Sequence, residues 1–254
     1  MVHRTRYADG EPCWADVTTP DVERATSFYG AVFGWTFEDA ADLGGYVTCR
    51  LAGRRVAGIS PPAPGRPRVP PAWSVYFAAH DLDTVAAKLP AAGGTVLLGP
   101  VDLAGSGRMV LGHDPGGAAF GLWEPGVRAG AELFREPSAL TWTELNTRDP
   151  AAGDAFYRAL FGYEQRQIYG DGLDYSAWSL DGEEPVCGRV RMTDEWDGIP
   201  PHWMPYFEVE EADTAIAAAL ATGGELRMGP FDSTQGRIAV LADPGDAMFT
   251  VLAI

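Results

Sequence analysis

The sequence has little basic charge and no long apolar run. Its 254 residues carry 19 Lys and Arg against 35 Asp and Glu, a formal net charge of −16, and Lys88 is the single lysine. Nucleic-acid binding requires basic side chains that neutralise phosphates, so this balance argues against a DNA or RNA partner. No apolar run approaches the roughly 20 residues that span a bilayer, and the first residues lack the apolar core of a signal peptide. We therefore expect a cytoplasmic protein that has no membrane partner.

Cysteine and paired histidine are also scarce. The three cysteines are scattered with no C-x-x-C pair, which predicts free thiols buried as small hydrophobic side chains: Cys13, Cys49 and Cys187. No two histidines have the H-x-H or H-x-x-x-H spacing of a metal site, so we expect all four to be ordinary surface or loop residues: His3, His80, His113 and His202. By contrast, 46% hydrophobic and 11% aromatic residues are enough for a real core.

Tandem repetition is the strongest positive signal. The stretch TTPDVERATSFYGAVFGW at 18–35 returns as NTRDPAAGDAFYRALFGY at 146–163, and PPAWSVYF at 70–77 returns as PPHWMPYF at 200–207. The segment GRMVLGHDPGGAAFGLW at 107–123 likewise matches GRIAVLADPGDAMFTVL at 236–252. The whole chain is therefore a tandem duplication, with a boundary of linker composition at 126–139.

Each half contains two similar pieces in which a strand is followed by a helix and then by short strands. In the first piece Asp21 is placed to cap a helix, and in its copy Asp149-Pro150 gives the same start. Apolar spacing predicts a helix in the second piece of each half as well. The chain thus reads as βαβββ four times, an α+β fold with a domain at 1–125, a linker at 126–139 and a domain at 140–254.

Four such units, opening with D-x-x-x-A-x-x-F-Y-x-x-x-F-G and closing with D-P-G before a last strand, resemble the vicinal oxygen chelate superfamily. This superfamily includes glyoxalase I, extradiol dioxygenases, fosfomycin-resistance enzymes and bleomycin-binding proteins. The resemblance is to its tandem, actinobacterial glyoxalase-like type and covers nearly the whole chain. It implies two domains, each a curved sheet around a cleft with helices outside. Pairing of units within a half and pairing between halves are both known in the family, so this choice is open.

The resemblance also implies where metal ligands would stand. The family uses His, Gln or Glu on the first strand of each unit and a Glu on the last strand. Here those positions hold side chains that are poor ligands for a divalent first-row metal: Trp14, Ser74, Gly121, Trp142, Met204 and Thr250. We therefore expect neither a metal nor another cofactor.

Strand alternation predicts what occupies the clefts instead. Trp14, Asp16 and Thr18 share one face of their strand, and the second copy repeats them as Trp142, Glu144 and Asn146. Facing and later strands add further candidates for ligand contact: Tyr46, Ser74, Tyr76, Tyr175, Trp178, Met204, Tyr206, Glu208 and Thr250. The pattern favours an aromatic pocket with one carboxylate, suited to a planar, partly polar organic molecule.

Several alternatives are open at this point. The two tryptophans either line a ligand site or fill an unused cleft. Asp16 and Glu144 either bind a ligand group, pair with an arginine or act as a general acid or base. The proline-rich stretches 60–71 and 193–201 are expected to be crossover loops, with a role as cleft lids as the second reading. We predict a metal-independent monomer or homodimer that binds a small aromatic natural product for resistance, carriage or biosynthesis. A metal-dependent lyase or dioxygenase, and an interaction protein with inactive clefts, are the alternatives.

Overall fold

The computed structural model describes residues 3–40, 44–62, 70–168 and 173–254. The first half consists of β1 (Pro12–Thr18), α1 (Val22–Phe33), β2 (Thr36–Asp39), β3 (Val47–Leu51), β4 (Arg54–Ser60), β5 (Ala72–Ala78), α2 (Leu82–Ala91), β6 (Thr95–Asp102), β7 (Gly107–His113) and β8 (Ala119–Pro125). The second half consists of β9 (Leu140–Thr147), α3 (Pro150–Phe161), β10 (Glu164–Ile168), β11 (Tyr175–Ser179), β12 (Cys187–Arg191), a 3-10 turn (Asp194–Trp196), β13 (His202–Glu208), α4 (Ala212–Ala221), β14 (Glu225–Ser233), β15 (Gly236–Ala242) and β16 (Met248–Ala253). This is the βαβββ order four times.

Each half builds one mixed sheet of eight strands. The strand order is β2-β3-β4-β1-β5-β8-β7-β6 in the first sheet and β10-β11-β12-β9-β13-β16-β15-β14 in the second. The two units of a half meet where β1 pairs antiparallel with β5, and where β9 pairs antiparallel with β13. The units of a sheet therefore pair within a half, and the predicted α+β architecture of two sheets is confirmed.

The helix ends follow the sequence signals. The Asp21 side chain accepts a hydrogen bond from the backbone N–H of Arg24, and Asp149 does the same for Ala152. Such caps satisfy N–H groups that the first helical turn leaves without a partner. None of the helices in the described ranges is long and apolar enough to cross a membrane.

The hydrophobic cores are shared between the two halves. Unit one packs its helix face against unit four, where the rings of Phe33 and Phe207 lie 5.1 Å apart between centroids. Unit two packs against unit three, where the rings of Phe120 and Phe156 lie 5.8 Å apart between centroids. The segment 126–139, expected as a linker, contributes the buried Leu133 to the first of these cores. Each core thus depends on both halves of the chain.

The repeated sequence motifs meet across the halves. The Tyr29 hydroxyl on α1 donates a 2.9 Å hydrogen bond to Asp243, and Trp73 Nε1 donates to the same Tyr29 oxygen at 3.0 Å. The second copy repeats the arrangement, because Tyr157 donates to Asp114 at 3.3 Å and receives the Trp203 N–H at 2.7 Å. The F-Y, D-P-G and P-P-x-W motifs of the repeat therefore form two polar links inside the shared cores.

The cysteines and the proline-rich stretches can now be placed. Cys13, Cys49 and Cys187 are buried free thiols, as expected. Of the stretch 60–71, residues 63–69 lie outside the described residues. The stretch 193–201 crosses from β12 to β13, and Arg148 fixes it by donating to the carbonyl oxygens of Trp196 at 2.7 Å and Ile199 at 3.2 Å.

Candidate functional site

The site lies on the face of each sheet that turns away from the helices, called here the cleft face. Ala15 and Val17 of β1 are fully buried in the shared core, so the alternating Trp14 and Asp16 point to the opposite side. In β9 the fully buried Leu145 faces the core in the same way, which leaves Trp142, Glu144 and Asn146 for the cleft face. The predicted alternation of both first strands is therefore present in the structure.

In the first half, four side chains form a hydrogen-bonded cluster around one carboxylate. Trp14 Nε1 donates to the Tyr46 hydroxyl at 2.8 Å, and that hydroxyl donates to Asp16 Oδ2 at 3.3 Å. The Tyr76 hydroxyl donates to both Asp16 oxygens, at 3.3 and 3.1 Å. We call these four residues the first cluster.

Burial controls the protonation of this cluster. Asp16 is only 6% exposed, and burial raises its pKa to about 7 although the hydrogen bonds from Tyr76 and Tyr46 oppose the shift. Burial and the neighbouring Asp16 charge raise the pKa of Tyr46 and Tyr76 well above the usual value, so both hydroxyls remain protonated. The carboxyl group is consequently able to change between acid and base near neutral pH.

The second half builds the matching second cluster from Trp142, Tyr175, Glu144 and Tyr206. Trp142 Nε1 donates to the Tyr175 hydroxyl at 3.0 Å, and the Tyr206 hydroxyl donates to Glu144 Oε1 at 3.1 Å. Burial raises the pKa of Glu144 to about 7, against the hydrogen bonds from Tyr206 and Tyr175. The longer Glu side chain thus replaces Asp16 and keeps the same chemistry.

Glycines opposite the tyrosine rings make these clusters possible, and sequence reasoning missed two of them. A Cβ at Gly58 would overlap the Tyr46 hydroxyl, and a Cβ at Gly188 would overlap the Tyr175 hydroxyl. Gly121, at the expected last-strand ligand position, lies against the Tyr76 ring in the same way. The signal in the sequence was the repeated strand glycine, which often marks a close approach of another group.

The residues present do not fit the metal that the family's fold implies. A carboxylate side chain at position 121 would collide with Tyr76, so the last-strand ligand is sterically excluded in the first half. Within the described ranges, no group of three or more His, Cys, Asp and Glu side chains could hold a metal ion. The indole, thioether and hydroxyl groups at the other expected positions are poor ligands for zinc, iron or manganese.

Most of the remaining candidates lie on the cleft faces. Ser74 is the cross-strand neighbour of Asp16, and the buried Met204 is that of Glu144. Thr250 of β16 lies beside Tyr206 and is fully buried. Glu208, at the end of β13, accepts a 3.3 Å hydrogen bond from the Thr141 hydroxyl.

The ends of β1 and β9 differ in what they present. The Thr18 hydroxyl is hydrogen-bonded to Ser60 at 3.0 Å, and its counterpart Asn146 is bonded through Nδ2 to His202 Nε2 at 3.0 Å. We expected His202 in a loop; it is the first residue of β13, because pairing with Asn146 extends the strand to that residue. It therefore belongs to the second cleft.

One predicted wall residue is misplaced. We expected Trp178 to line the cleft beside Tyr175, but Trp178 is 1% exposed and lies in the core, where its ring stacks on Tyr163 at 5.5 Å. Its Nε1 donates to Asp154 on α3 at 3.0 Å. Two residues separated by an odd number of positions on one strand point to opposite faces, so only one of the pair could reach the cleft.

Comparison with known proteins agrees with this architecture. Residues 13–122 match the model of the Glyoxalase/Bleomycin resistance protein/Dioxygenase superfamily, and residues 142–252 match a glyoxalase-like domain. The chain is 36% identical to "Anthracycline biosynthesis protein DauV" of Streptomyces sp. strain C5, over 98% of this chain and 95% of the relative. It is 39% identical to "Putative glyoxylase CFP32" of Mycobacterium bovis, over 99% of this chain and 98% of the relative.

Solved structures show the same fold at low sequence identity. The 2,3-dioxygenase LapB from Pseudomonas sp. KL28 superposes with a TM-score of 0.67 at 18% identity, covering 100% of this chain and 93% of that one. The Mn(II)-bound glyoxalase from Novosphingobium aromaticivorans gives a TM-score of 0.64 at 18% identity, with coverages of 96% and 82%. The chain therefore belongs to the glyoxalase, bleomycin resistance protein and dioxygenase superfamily, that is, to the vicinal oxygen chelate proteins in their tandem two-domain arrangement.

Proposed function

We propose that the protein binds a planar aromatic natural product on its cleft faces without a metal ion. The observation that carries this proposal is the cluster of one Trp, two Tyr and one carboxyl group that stands in both halves at the expected metal position. Aromatic rings supply flat walls for a planar ligand, and the carboxyl group supplies a polar anchor. The same cluster appears twice although its carboxylate differs, as Asp16 and as Glu144.

The state of the carboxyl groups supports a ligand that has hydroxyl or carbonyl groups. Because burial raises the pKa of Asp16 and of Glu144 to about 7, each group is able to donate a hydrogen bond as an acid or accept one as a carboxylate near neutral pH. Phenols and quinones offer the complementary donors and acceptors. A purely apolar ligand would offer these carboxyl groups no hydrogen-bond partner.

The names of two relatives support the same ligand class. DauV and the 35% identical DnrV of Streptomyces peucetius are both called anthracycline biosynthesis proteins. Anthracyclines are planar, hydroxylated and polycyclic, which suits a pocket with indole and phenol walls. A role in the biosynthesis of such a compound, or in its carriage or in resistance to it, follows as part of the proposal.

Acid or base catalysis is the second candidate function. A carboxyl group whose pKa lies near the working pH is well suited to proton transfer, since both protonation states are then populated. Tyr206 and Tyr76 hold the two carboxyl groups in fixed orientations. Under this candidate, Glu144 or Asp16 would move a proton on the bound ligand while the aromatic walls position it.

The deciding experiment is a titration of the purified protein with a dihydroxyanthraquinone, followed by tryptophan fluorescence, with metal content measured on the same sample. We expect saturable quenching of tryptophan fluorescence, because a planar ligand approaches the Trp rings. We also expect less than about 0.1 equivalent of zinc, iron, nickel or manganese per protein, which is too little for a filled site. About one equivalent of any of these metals, lost to a chelator together with ligand binding, would favour the metal-dependent alternative. Absence of quenching would favour inactive clefts.

A further inference from the structure

Asn146 in the second cleft has a buried polar atom without a partner among the described residues, whereas the hydroxyl of its counterpart Thr18 in the first cleft is hydrogen-bonded. Asn146 is 1% exposed, and by strand alternation it shares the cleft face with Trp142 and Glu144. Its Oδ1 is buried and has no hydrogen-bond partner in the ranges that the structure describes. Buried polar atoms nearly always have a partner, so this one points to a group that is still to be bound.

His202 determines which amide atom of Asn146 has no hydrogen-bond partner. His202 Nδ1 lies 2.8 Å from the carbonyl oxygen of Pro200, and a carbonyl only accepts, so Nδ1 carries the hydrogen. Burial lowers the pKa of His202, which favours the neutral ring and leaves Nε2 as an acceptor. The 3.0 Å contact between Nε2 and Asn146 therefore requires the amide NH₂ to be the donor. The amide oxygen then faces away from His202.

The matching position in the first half is already satisfied. Thr18, the counterpart of Asn146, is hydrogen-bonded to Ser60 at 3.0 Å, and no polar atom of either residue is left buried without a partner. In the first cluster, both oxygens of Asp16 accept hydrogen bonds from tyrosine hydroxyls. Among the described cleft-face residues, the buried acceptors without a partner, Asn146 Oδ1 and the Thr250 hydroxyl oxygen, thus both lie in the second half.

We infer that the second cleft is the one that recognises the ligand, and that Asn146, oriented by His202, accepts a hydrogen bond from a ligand hydroxyl. The inference rests on the proposed function and adds to it the cleft and the group that is recognised. His202 is a positioning residue, because it acts on the ligand through Asn146. A planar phenol or hydroxyquinone meets this requirement, whereas the corresponding methyl ether lacks the donor.

The test compares a dihydroxyanthraquinone with its dimethyl ether on three variants. Asn146→Leu keeps a similar side-chain volume and removes the acceptor. It should therefore weaken binding of the dihydroxy probe about tenfold and leave the affinity for the dimethyl ether unchanged. His202→Phe keeps a ring but frees the Asn146 amide to rotate, so the preference for the dihydroxy probe should fall by about threefold or more. Ser60→Ala is the matched control in the first half and should change neither affinity.

Several results would overturn the inference. If both probes bind the unaltered protein but Asn146→Leu leaves their affinity ratio the same, this inference fails while the proposed function stands. If Ser60→Ala changes the ratio instead, recognition lies in the first cleft. If neither probe binds the unaltered protein, the proposed function fails and this inference fails with it.

The orientation of Asn146 has its own test, independent of any ligand. Nitrogen NMR of the histidine rings in the unliganded protein should show His202 as the tautomer protonated at Nδ1, and the His202→Phe spectrum would assign the signal. If the His202 ring is protonated at Nε2, the amide oxygen of Asn146 is the atom bonded to His202. This result would refute the claim that Asn146 Oδ1 is free to accept a hydrogen bond from the ligand. This measurement does not require Asn146→Leu to fold.

Discussion

Tyr29 and Asp243 lie in opposite halves of the chain, and the tyrosine hydroxyl donates a 2.9 Å hydrogen bond to the carboxylate inside a shared core. The same carboxylate accepts the backbone N–H groups of Gly245 and Ala247, so it holds the last turn before β16 as well. A helix of the first half and a turn of the second half are therefore coupled through a single buried side chain. This coupling gives the first prediction.

Tyr29→Phe should destabilise the protein without changing its fold. The variant keeps the ring but leaves Trp73 Nε1 and one Asp243 oxygen without this partner, which typically costs about 1–3 kcal/mol. Denaturant unfolding measures the change, and Tyr157→Phe tests the equivalent link in the other core. Ser27→Ala, an exposed change on the same helix, is the control and should stay within about 0.5 kcal/mol. Equal stability of all three variants would mean that the links contribute nothing.

Stability should depend on the protonation of Asp16. Burial raises the pKa of Asp16 from 3.8 to about 7, so the folded state binds this proton more tightly than the unfolded state does. The stabilisation of the folded state by this proton is fully present below about pH 4 and is lost as the pH rises through about 7. It amounts to at most roughly 4 kcal/mol, at 1.36 kcal/mol per pKa unit. Melting temperatures between about pH 5 and pH 8 should therefore fall less steeply in Asp16→Asn than in the unaltered protein.

Net charge also changes over this pH range, so a matched control is needed. Asp197→Asn removes the same formal charge from an exposed position, and it should keep the full pH dependence. A slope for Asp16→Asn that equals the slope for Asp197→Asn would show that the buried carboxyl group is not the source.

The close contact between Gly58 and Tyr46 predicts an intolerant position. Gly58→Ala places a methyl group where the Tyr46 hydroxyl lies, so the ring must move away from Trp14 and Asp16. Overpacking of this kind typically costs about 1–3 kcal/mol. The same change in a Tyr46→Ala background should cost much less, and the double-mutant cycle measures that difference by thermal unfolding. Additive effects would place Tyr46 elsewhere.

Replacement of the cleft tryptophans separates a ligand wall from a filler. If Trp142 is a wall, Trp142→Ala should weaken binding of a dihydroxyanthraquinone by about 1–3 kcal/mol. If it only fills space, the change should lower stability by about 3–5 kcal/mol and leave binding unchanged or improved. Titration and melting of this variant, beside Trp14→Ala as the matched change in the first cleft, decide between the two; we expect the first outcome for Trp142.

Much of the fold could be predicted because the βαβββ pattern occurs four times in the sequence. Asp21 and Asp149 begin helices as expected, since an acidic cap followed by an apolar stripe is a local signal. The pairing of units and the shared cores could not be predicted, because strand order and helix packing are set by contacts distant in sequence. The buried Leu133 illustrates this limit, since its segment has the composition of a linker.

The candidate site was predictable only where one strand defines it. Alternation placed Trp14 with Asp16 and Trp142 with Glu144 correctly on the cleft faces, because period-two geometry is local. The prediction that Trp178 lines the cleft was wrong, because strand alternation was not applied between Trp178 and Tyr175. His202 was missed because its role depends on a cross-strand neighbour, Asn146, whose position follows from the register of β13 against β9.

The shared cores have a consequence for how the duplicated halves were able to diverge. Core side chains of one half pack against side chains of the other half, so a change at such a contact affects both halves; Tyr29 and Tyr157, with their Trp and Asp partners, are the same in both copies. The cluster contacts of each cleft face lie within its own sheet. Both copies keep the Trp, Tyr and carboxyl cluster, whereas the ends of β1 and β9 differ, as Thr18 and Asn146 do. Interdigitated folding thus tied the two halves into one inseparable scaffold while leaving each cleft free to acquire its own chemistry.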